Sequence, residues 1–501
     1  MSTAAAADDE PSTLPANEAR VRGLLDREWR LLIDGQRAGA ASGRTFPVVS
    51  PYSEEVIAHV PDGGAADVER AVASAARAFP GWSRRTPGER AAAVFALADE
   101  IERRGPDFAV LDAVDGGAPV SVMALDVKIA LDSLRYFAGI AMETKGYTVP
   151  ATRNLHYTEL QPYGVVGKII PFNHPFMFAA AKIAAPLIAG NTVVLKPAEA
   201  TPLSALLLAD LIAEVLPSGV VQVVVGDGPE VPEAIVRSPL VRRIGFIGSE
   251  RVGRGIQRAA AEVAVKHVTL ELGGKNALIA FPDAAPDKVA RAAIAGMNFT
   301  WSGQSCGSTS RLLVHEAIAD AVLEEVTAML DGRVFTSPLD PAAVQGTMVS
   351  RRQFDRALSY IDAAASQGAR VVTGGGRPAG VSKGLFIAPT FLDGVGPDWP
   401  AATEEIFGPV VSVIRWQDER DAVRIANSVD YGLTGSIFTN DISTAHRVAR
   451  ELETGFVWIN GSAAHFQGVP FGGWKNSGTG REESLDELLS YTQSKSVTVM
   501  L

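Results

Sequence analysis

The chain has 501 residues, too many for one hydrophobic core and consistent with about three units of roughly 150 residues each. Its 47% hydrophobic and 21% charged residues are those of an ordinary globular protein. A net charge of −11 argues against nucleic acid or an anionic membrane surface as partner, and the single cysteine excludes an intramolecular disulfide and fits a cytoplasmic location.

Residues 1–20 are low in complexity and read as a flexible tail, without the basic and apolar regions of a secretion signal. The most apolar stretch, Phe176 to Leu195, is interrupted by Lys182, Pro186 and Asn191, so no membrane span is expected. Arg30 to Asp34 and Glu55 to Val60 read as short strands. Asp67 to Phe79, Pro87 to Glu102 and Val122 to Ala141 carry apolar residues at helical spacing. YTVPATRNLHYTEL, Tyr147 to Leu160, reads as a hairpin of two alternating runs around a polar turn, and Ser490 to Leu501 is a further strand-like run. These two can pair with each other and project from the body; an ordinary edge hairpin is the reading that sequence alone favours.

From Gly164 onward β-branched apolar strands alternate with helices, which implies a parallel sheet covered on both faces. Ligands bind at the carboxyl ends of such strands, where several polar residues fall. Asn173, in PFNHP, can donate to a developing oxyanion or simply occupy a turn. Lys196 and Glu199, in KPAE, suit a phosphate or hydroxyl and a ribose diol, or a solvated strand end. Ser249 precedes a helix and can cap it, leaving an anion site at its N-terminus. The glycine turn at Gly226 to Gly228 lacks the full GxGxxG fingerprint. Glu271 lies inside the apolar run HVTLELGGK, where burial would raise its pKa toward that of a general base; the alternation of Val268, Leu270 and Leu272 equally allows it to face solvent.

A second α/β unit starts at NALIAF and contains Cys306, the only cysteine, within WSGQSCGSTS. Small polar neighbours are unusual around a core cysteine, and a thiolate is an intrinsically strong nucleophile. A buried structural thiol competes with that reading, and the stretch alone does not decide. Scattered histidines without HExxH or CxxC spacing argue against a metal site. The tail VPFGGWKNSGTGRE, Val469 to Glu482, has the glycine density of loops around a cavity.

Taken in order, PFNHP, KPAE, FIGS, LELGGK, GQSC, EEIFGPV and PFGGWKNSGTGRE resemble the successive motifs of the aldehyde dehydrogenase superfamily. The resemblance spans nearly the whole chain after residue 30. It implies an α/β fold with a Rossmann-like NAD-binding domain (residues 21–143 and 162–273), an α/β catalytic domain (274–476) and a β oligomerisation element (144–161 and 488–501). It implies Cys306 as nucleophile, Glu271 as general base, Asn173 as oxyanion donor and Lys182 beside them. Cofactor contacts would come from Ile169, Ile170, Pro171, Phe172, Lys196, Glu199, Gly228, Phe246, Gly248, Ser249, Leu272, Gly273, Glu405 and Phe407. The substrate tunnel would be lined by His174, Met177, Phe178, Ala181, Thr300, Ser305, His465 and Phe471.

The implied reaction is oxidation of an aldehyde to a carboxylic acid through a thiohemiacetal and a thioester, in a homodimer or homotetramer. Glu271 favours hydrolysis of that thioester over transfer to coenzyme A, a branch that generally lacks this base. Glu199 favours NAD over NADP, because a carboxylate at the ribose diol repels a 2′-phosphate. Ala181, where relatives often carry a bulky aromatic, suggests a wide tunnel. Two histidines and a threonine make that tunnel polar, so a bulky or aromatic aldehyde with a polar group is expected, a small aliphatic aldehyde or semialdehyde being the alternative. A catalytically silent relative would be expected to have lost Cys306, Glu271 or Asn173. A cysteine-only acyltransferase would not need Lys196, Glu199, Glu405 and Phe407.

Overall fold

The structure, a computed structural model, describes residues 12–501. Two twisted sheets dominate it. The first runs, edge to edge, through Gln36–Ala38, Leu31–Ile33, Val221–Val223, Thr192–Lys196, Val165–Ile169, Val241–Ile247, His267–Glu271 and Gly478–Thr479. Its five central strands are parallel, and the strands flanking them on either side are antiparallel. This follows from the expected strand–helix rhythm, since parallel neighbours need a crossover that a helix supplies. The helix Pro175–Ile188, buried except at Met177, joins Val165–Ile169 to Thr192–Lys196, beginning on a proline whose missing N–H costs nothing at that position.

The second sheet runs through Arg370–Thr373, Thr390–Asp393, Val410–Trp416, Arg311–His315, Ala277–Ala280, Thr434–Phe438 and Phe456–Ile459, and is parallel except at its first strand. Alternation sorts its side chains into two cores. Ala277, Ile279 and Leu313 pack on one face, and Leu278, Ala280, Leu312 and Val314 on the other.

Three expectations need correction. Residues 14–20, assigned to a flexible tail, belong to the helix Leu14–Leu25, whose Thr13 side chain accepts from the Ala16 N–H; residues 1–11 of that tail lie outside the described residues. A helix at Gly105–Gly116 was not anticipated. Its burial spreads round the circumference (Phe108, Val110, Leu111, Ala113), which erases the one-sided periodicity that marks a surface helix. The hairpin at Tyr147 to Leu160 is reduced to a single bridge between Thr148 and Tyr157. Its second run instead forms Leu155–Pro162, antiparallel along its length to the C-terminal strand Thr492–Val499. A short two-residue strand, Gly478–Thr479, returns from the tail to pair with Leu270 and Glu271.

Among the described residues, no helix is long and apolar enough to cross a membrane.

Candidate active site

Cys306 sits on a loop whose backbone is forced into unusual conformations: Asn298, Ser302 and Gly303 all have positive φ. Asn276 fixes that loop, its Nδ2 donating to the Cys306 carbonyl at 2.8 Å and the Ser308 carbonyl at 2.9 Å. Gln304 ties it further, donating to the Trp301 and Thr347 carbonyls and accepting from the Val349 N–H. The thiol is half-buried, and its pKa is pushed up to about 12 by burial, then by the negative charges of Glu271, Glu405 and Glu482. At rest this sulfur keeps its proton, so thiolate attack needs a base or a nearby positive charge.

Glu271 ends the strand His267–Glu271 and is 7% exposed, with no hydrogen-bond partner on either carboxylate oxygen. It therefore does not face solvent on the alternating strand; the returning Gly478 covers that edge. Burial and the Glu482 charge raise its pKa well above the ordinary value, against the opposing pull of Lys182 and Arg481. A free, desolvated carboxylate is a stronger base than one in water.

Behind Glu271 lies a buried charge network that sequence reasoning only partly anticipated. Lys182 meets Glu482 at 2.8 Å and Glu487 at 3.8 Å. Lys168 donates to the Tyr491 hydroxyl at 2.9 Å, and Arg243 stacks 3.8 Å over the Tyr491 ring. Burial opposes the charge on Lys182, but Glu482 and Glu487 outweigh it and raise its pKa. Glu482 is held ionised, its burial outweighed by Lys182 and Lys168. Glu482 was part of a quoted motif without an assigned role; Lys168 and Glu487 carried no local signal, because their partners lie hundreds of residues away in sequence.

Asn173 follows the strand Val165–Ile169 and is buried, its Oδ1 without a partner. With Phe172, Trp301 and Gln304 it lines a small cavity, so the Asn173 and Cys306 segments converge. His174 stands at the start of the helix Pro175–Ile188 without a side-chain capping bond, and Met177, Phe178, Ala181 and Lys182 lie on that helix. Thr300 is in the turn Phe299–Trp301, and Ser305 adjoins Cys306. The Phe471 and His465 rings lie 4.5 Å apart, tilted by 46°, and the His465 Nε2 faces Gly307 at 4.0 Å from where a Cβ would stand.

The expected cofactor residues collect along the carboxyl ends of the first sheet. Lys196 and Glu199 pair at 2.9 Å, and despite its burial the Glu199 carboxyl is lowered by Lys196. A cleft of about 450 Å³ beside them is lined by Glu199, Asp227, Phe46, Val49, Ser350 and Arg351 and shares no residue with the cavity at Asn173. Ile169 and Ile170 are buried under this edge; the Ile170 N–H bonds the Lys196 carbonyl, and Pro171 and Phe172 continue into the site. Gly228, at φ 90, turns the chain in an exposed loop. Phe246 packs directly over Gly248, where a Cβ would overlap its ring. Ser249 has the backbone of a cap for Glu250–Val263, but its side chain makes no capping bond, contrary to expectation; the hydroxyl is left free at that helix N-terminus.

Glu405 accepts from the Gly274 N–H at 3.0 Å, and burial raises it to about 7. A Cβ at Gly273 would overlap the Glu405 carboxylate, so a larger residue there would have to displace that side chain. Phe407 holds φ 56, a strained conformation for a large residue, and lies edge-on to Phe172 at 5.7 Å. The donor set fits a dinucleotide: a helix N-terminus for phosphate, carboxylates for ribose hydroxyls, and a cradle that a Cβ would fill.

The family model described as "Aldehyde dehydrogenase family" matches residues 38–497. An aldehyde dehydrogenase, tropH, of Talaromyces stipitatus is 44% identical over 98% of this chain and 96% of its own length. The mitochondrial benzaldehyde dehydrogenase of Antirrhinum majus is 40% identical over 94% of this chain and 89% of its own. Among solved structures, indole-3-acetaldehyde dehydrogenase AldA of P. syringae, in complex with NAD+ and IAA, superposes with a TM-score of 0.95 at 36% identity, covering 98% of this chain and 100% of that one.

Proposed function

The chain belongs to the aldehyde dehydrogenase family, and from that premise we propose that it oxidises a bulky or aromatic aldehyde to the carboxylic acid with NAD. The observation that carries this reading is Glu271, an enclosed carboxylate with both oxygens free, within electrostatic reach of the only cysteine.

In this mechanism Glu271 takes the Cys306 proton and later gives it up to solvent, the freed sulfur attacks the aldehyde carbon, and Asn173 with the Cys306 backbone N–H holds the oxyanion. NAD, when bound, would supply the acceptor for the hydride lost as the thiohemiacetal becomes the thioester, and Glu405, Phe407, Lys196 and Glu199 would hold it. Glu271 then takes a proton from water, which attacks the thioester carbon and releases the acid and the Cys306 thiol. Burial and the Glu482 charge raise the basicity of Glu271, and Lys182 opposes them. The half-open aromatic wall of Phe456, His465 and Phe471 favours a large substrate group over a small aliphatic one, as do the substrates in the names of the benzaldehyde and indole-3-acetaldehyde relatives. A cytoplasmic homo-oligomer built through the exposed ribbon of Leu155–Pro162 and Thr492–Val499 completes the proposal.

The test is NADH formation from aliphatic, aromatic and carboxylate-bearing aldehydes, with Cys306→Ala as control. Aromatic turnover that the substitution abolishes supports the proposal. Turnover of short or acidic aldehydes only overturns the substrate class, and no turnover with NAD or NADP overturns the function.

A further inference from the structure

Two histidines flank the Cys306 loop, and each has its Nδ1 against a carboxylate. His174 meets Asp126 at 2.8 Å, and His465 meets Glu483 at 3.1 Å. A neutral imidazole that donates from Nδ1 carries no proton on Nε2, which can then only accept. The two pairs differ in setting. Asp126 is fully enclosed on the helix Val120–Gly139 and the His174 side chain is 14% exposed, whereas the His465 side chain is 40% exposed. Water competes weakly at the first pair and freely at the second, so His174 is the one whose tautomer the protein fixes.

The ring is also fixed in place. Trp301, on the Cys306 loop, lies 5.1 Å from it, and Phe178 meets it edge-on at 5.6 Å. His174 directly follows Asn173. An aldehyde with its carbon at Cys306 and its oxygen at Asn173 therefore runs its substituent past this ring. No group among the described residues bonds the His174 Nε2.

We propose that His174, held by Asp126 as an Nδ1–H donor, is a hydrogen-bond acceptor that selects aldehydes bearing a donor, a hydroxyl or N–H, on the group distal to the carbonyl. This rests on the aldehyde-oxidising function above and narrows its substrate class. A substrate without a donor strips water from Nε2 and gives nothing back, which is the situation in which enzymes discriminate by roughly tenfold or more. Asp126 is a positioning residue here, acting only through His174.

The experiment compares 3- and 4-(hydroxymethyl)benzaldehyde with their methoxymethyl ethers, which keep the oxygen and lose the donor. In the unmodified protein the ratio of kcat/KM, hydroxyl over ether, is expected to be about tenfold or more for one of the two isomers. His174→Phe should bring that ratio to about one, since it removes the acceptor. Asp126→Asn, whose amide can donate to Nδ1 and release the tautomer, should lower the ratio while the ring remains; a merely space-filling His174 would leave it unchanged. It also carries the test alone if His174→Phe does not fold. His465→Phe should preserve the ratio, and a loss there instead overturns the assignment to His174. Turnover of both compounds at equal efficiency overturns the inference but not the dehydrogenase function. No NADH from either overturns both.

Discussion

Replacing Glu271 by glutamine should separate two consequences of its burial. The carboxyl is 7% exposed with neither oxygen bonded, and its pKa lies well above the ordinary 4.5 because of burial and Glu482. The unfolded chain ionises near 4.5 while the folded chain keeps the proton to higher pH, so the folded state binds more protons and loses stability as pH rises above that value. Glutamine lacks this term. An enclosed group without a partner costs about 1–3 kcal/mol. At about 1 °C per kcal/mol for a chain of 501 residues that is a Tm about 1–3 °C higher for Glu271→Gln than for the unmodified protein at pH 8.5, shrinking toward zero at pH 5. Scanning calorimetry across that range measures the difference. The same substitution should slow steady-state turnover by about 10²–10⁴, because both deprotonation of Cys306 and thioester hydrolysis use the base. A variant less stable at pH 8.5, a Tm difference independent of pH, or unchanged steady-state turnover would refute the reasoning.

Gly273→Ala drives a methyl group into the Glu405 carboxylate, which the Gly274 N–H holds. Losing that charge-assisted arrangement should raise the KM for NAD by about tenfold or more with little change in the KM for aldehyde; initial-rate kinetics in both substrates check the split. Lys182→Ala takes from buried Glu482 and Glu487 their nearest cation and leaves Lys168, 4.0 Å from Glu482. A loss of about 3–5 kcal/mol is expected, read by urea unfolding, and a change under 1 kcal/mol would mean the network is solvated.

The β–α rhythm from Gly164 onward was legible because a covered parallel strand must be apolar on both faces, and KPAE, FIGS and LELGGK fall at strand ends where such sheets bind ligands. The helix Gly105–Gly116 was not legible, because burial on all sides leaves no periodic stripe. For the second hairpin run the sequence offered both an edge hairpin and pairing with the C-terminal strand, since a strand's pattern records its faces but not which edge it meets.

For the site itself, sequence determined the residue types: a lone cysteine among small polar neighbours, a glutamate in an apolar strand, an asparagine at a strand end. The direction in which Glu271 points was left open, because alternating residues allow either face. Tertiary structure decided it by returning Gly478 against Glu271 and setting the Lys182–Glu482 pair behind. The same holds for Asp126 and His174, 48 residues apart. Whether a carboxylate is a solvated surface group, a base or a clamp on a histidine depends on what excludes water from it. That is a property of packing between distant segments, which local pattern does not encode.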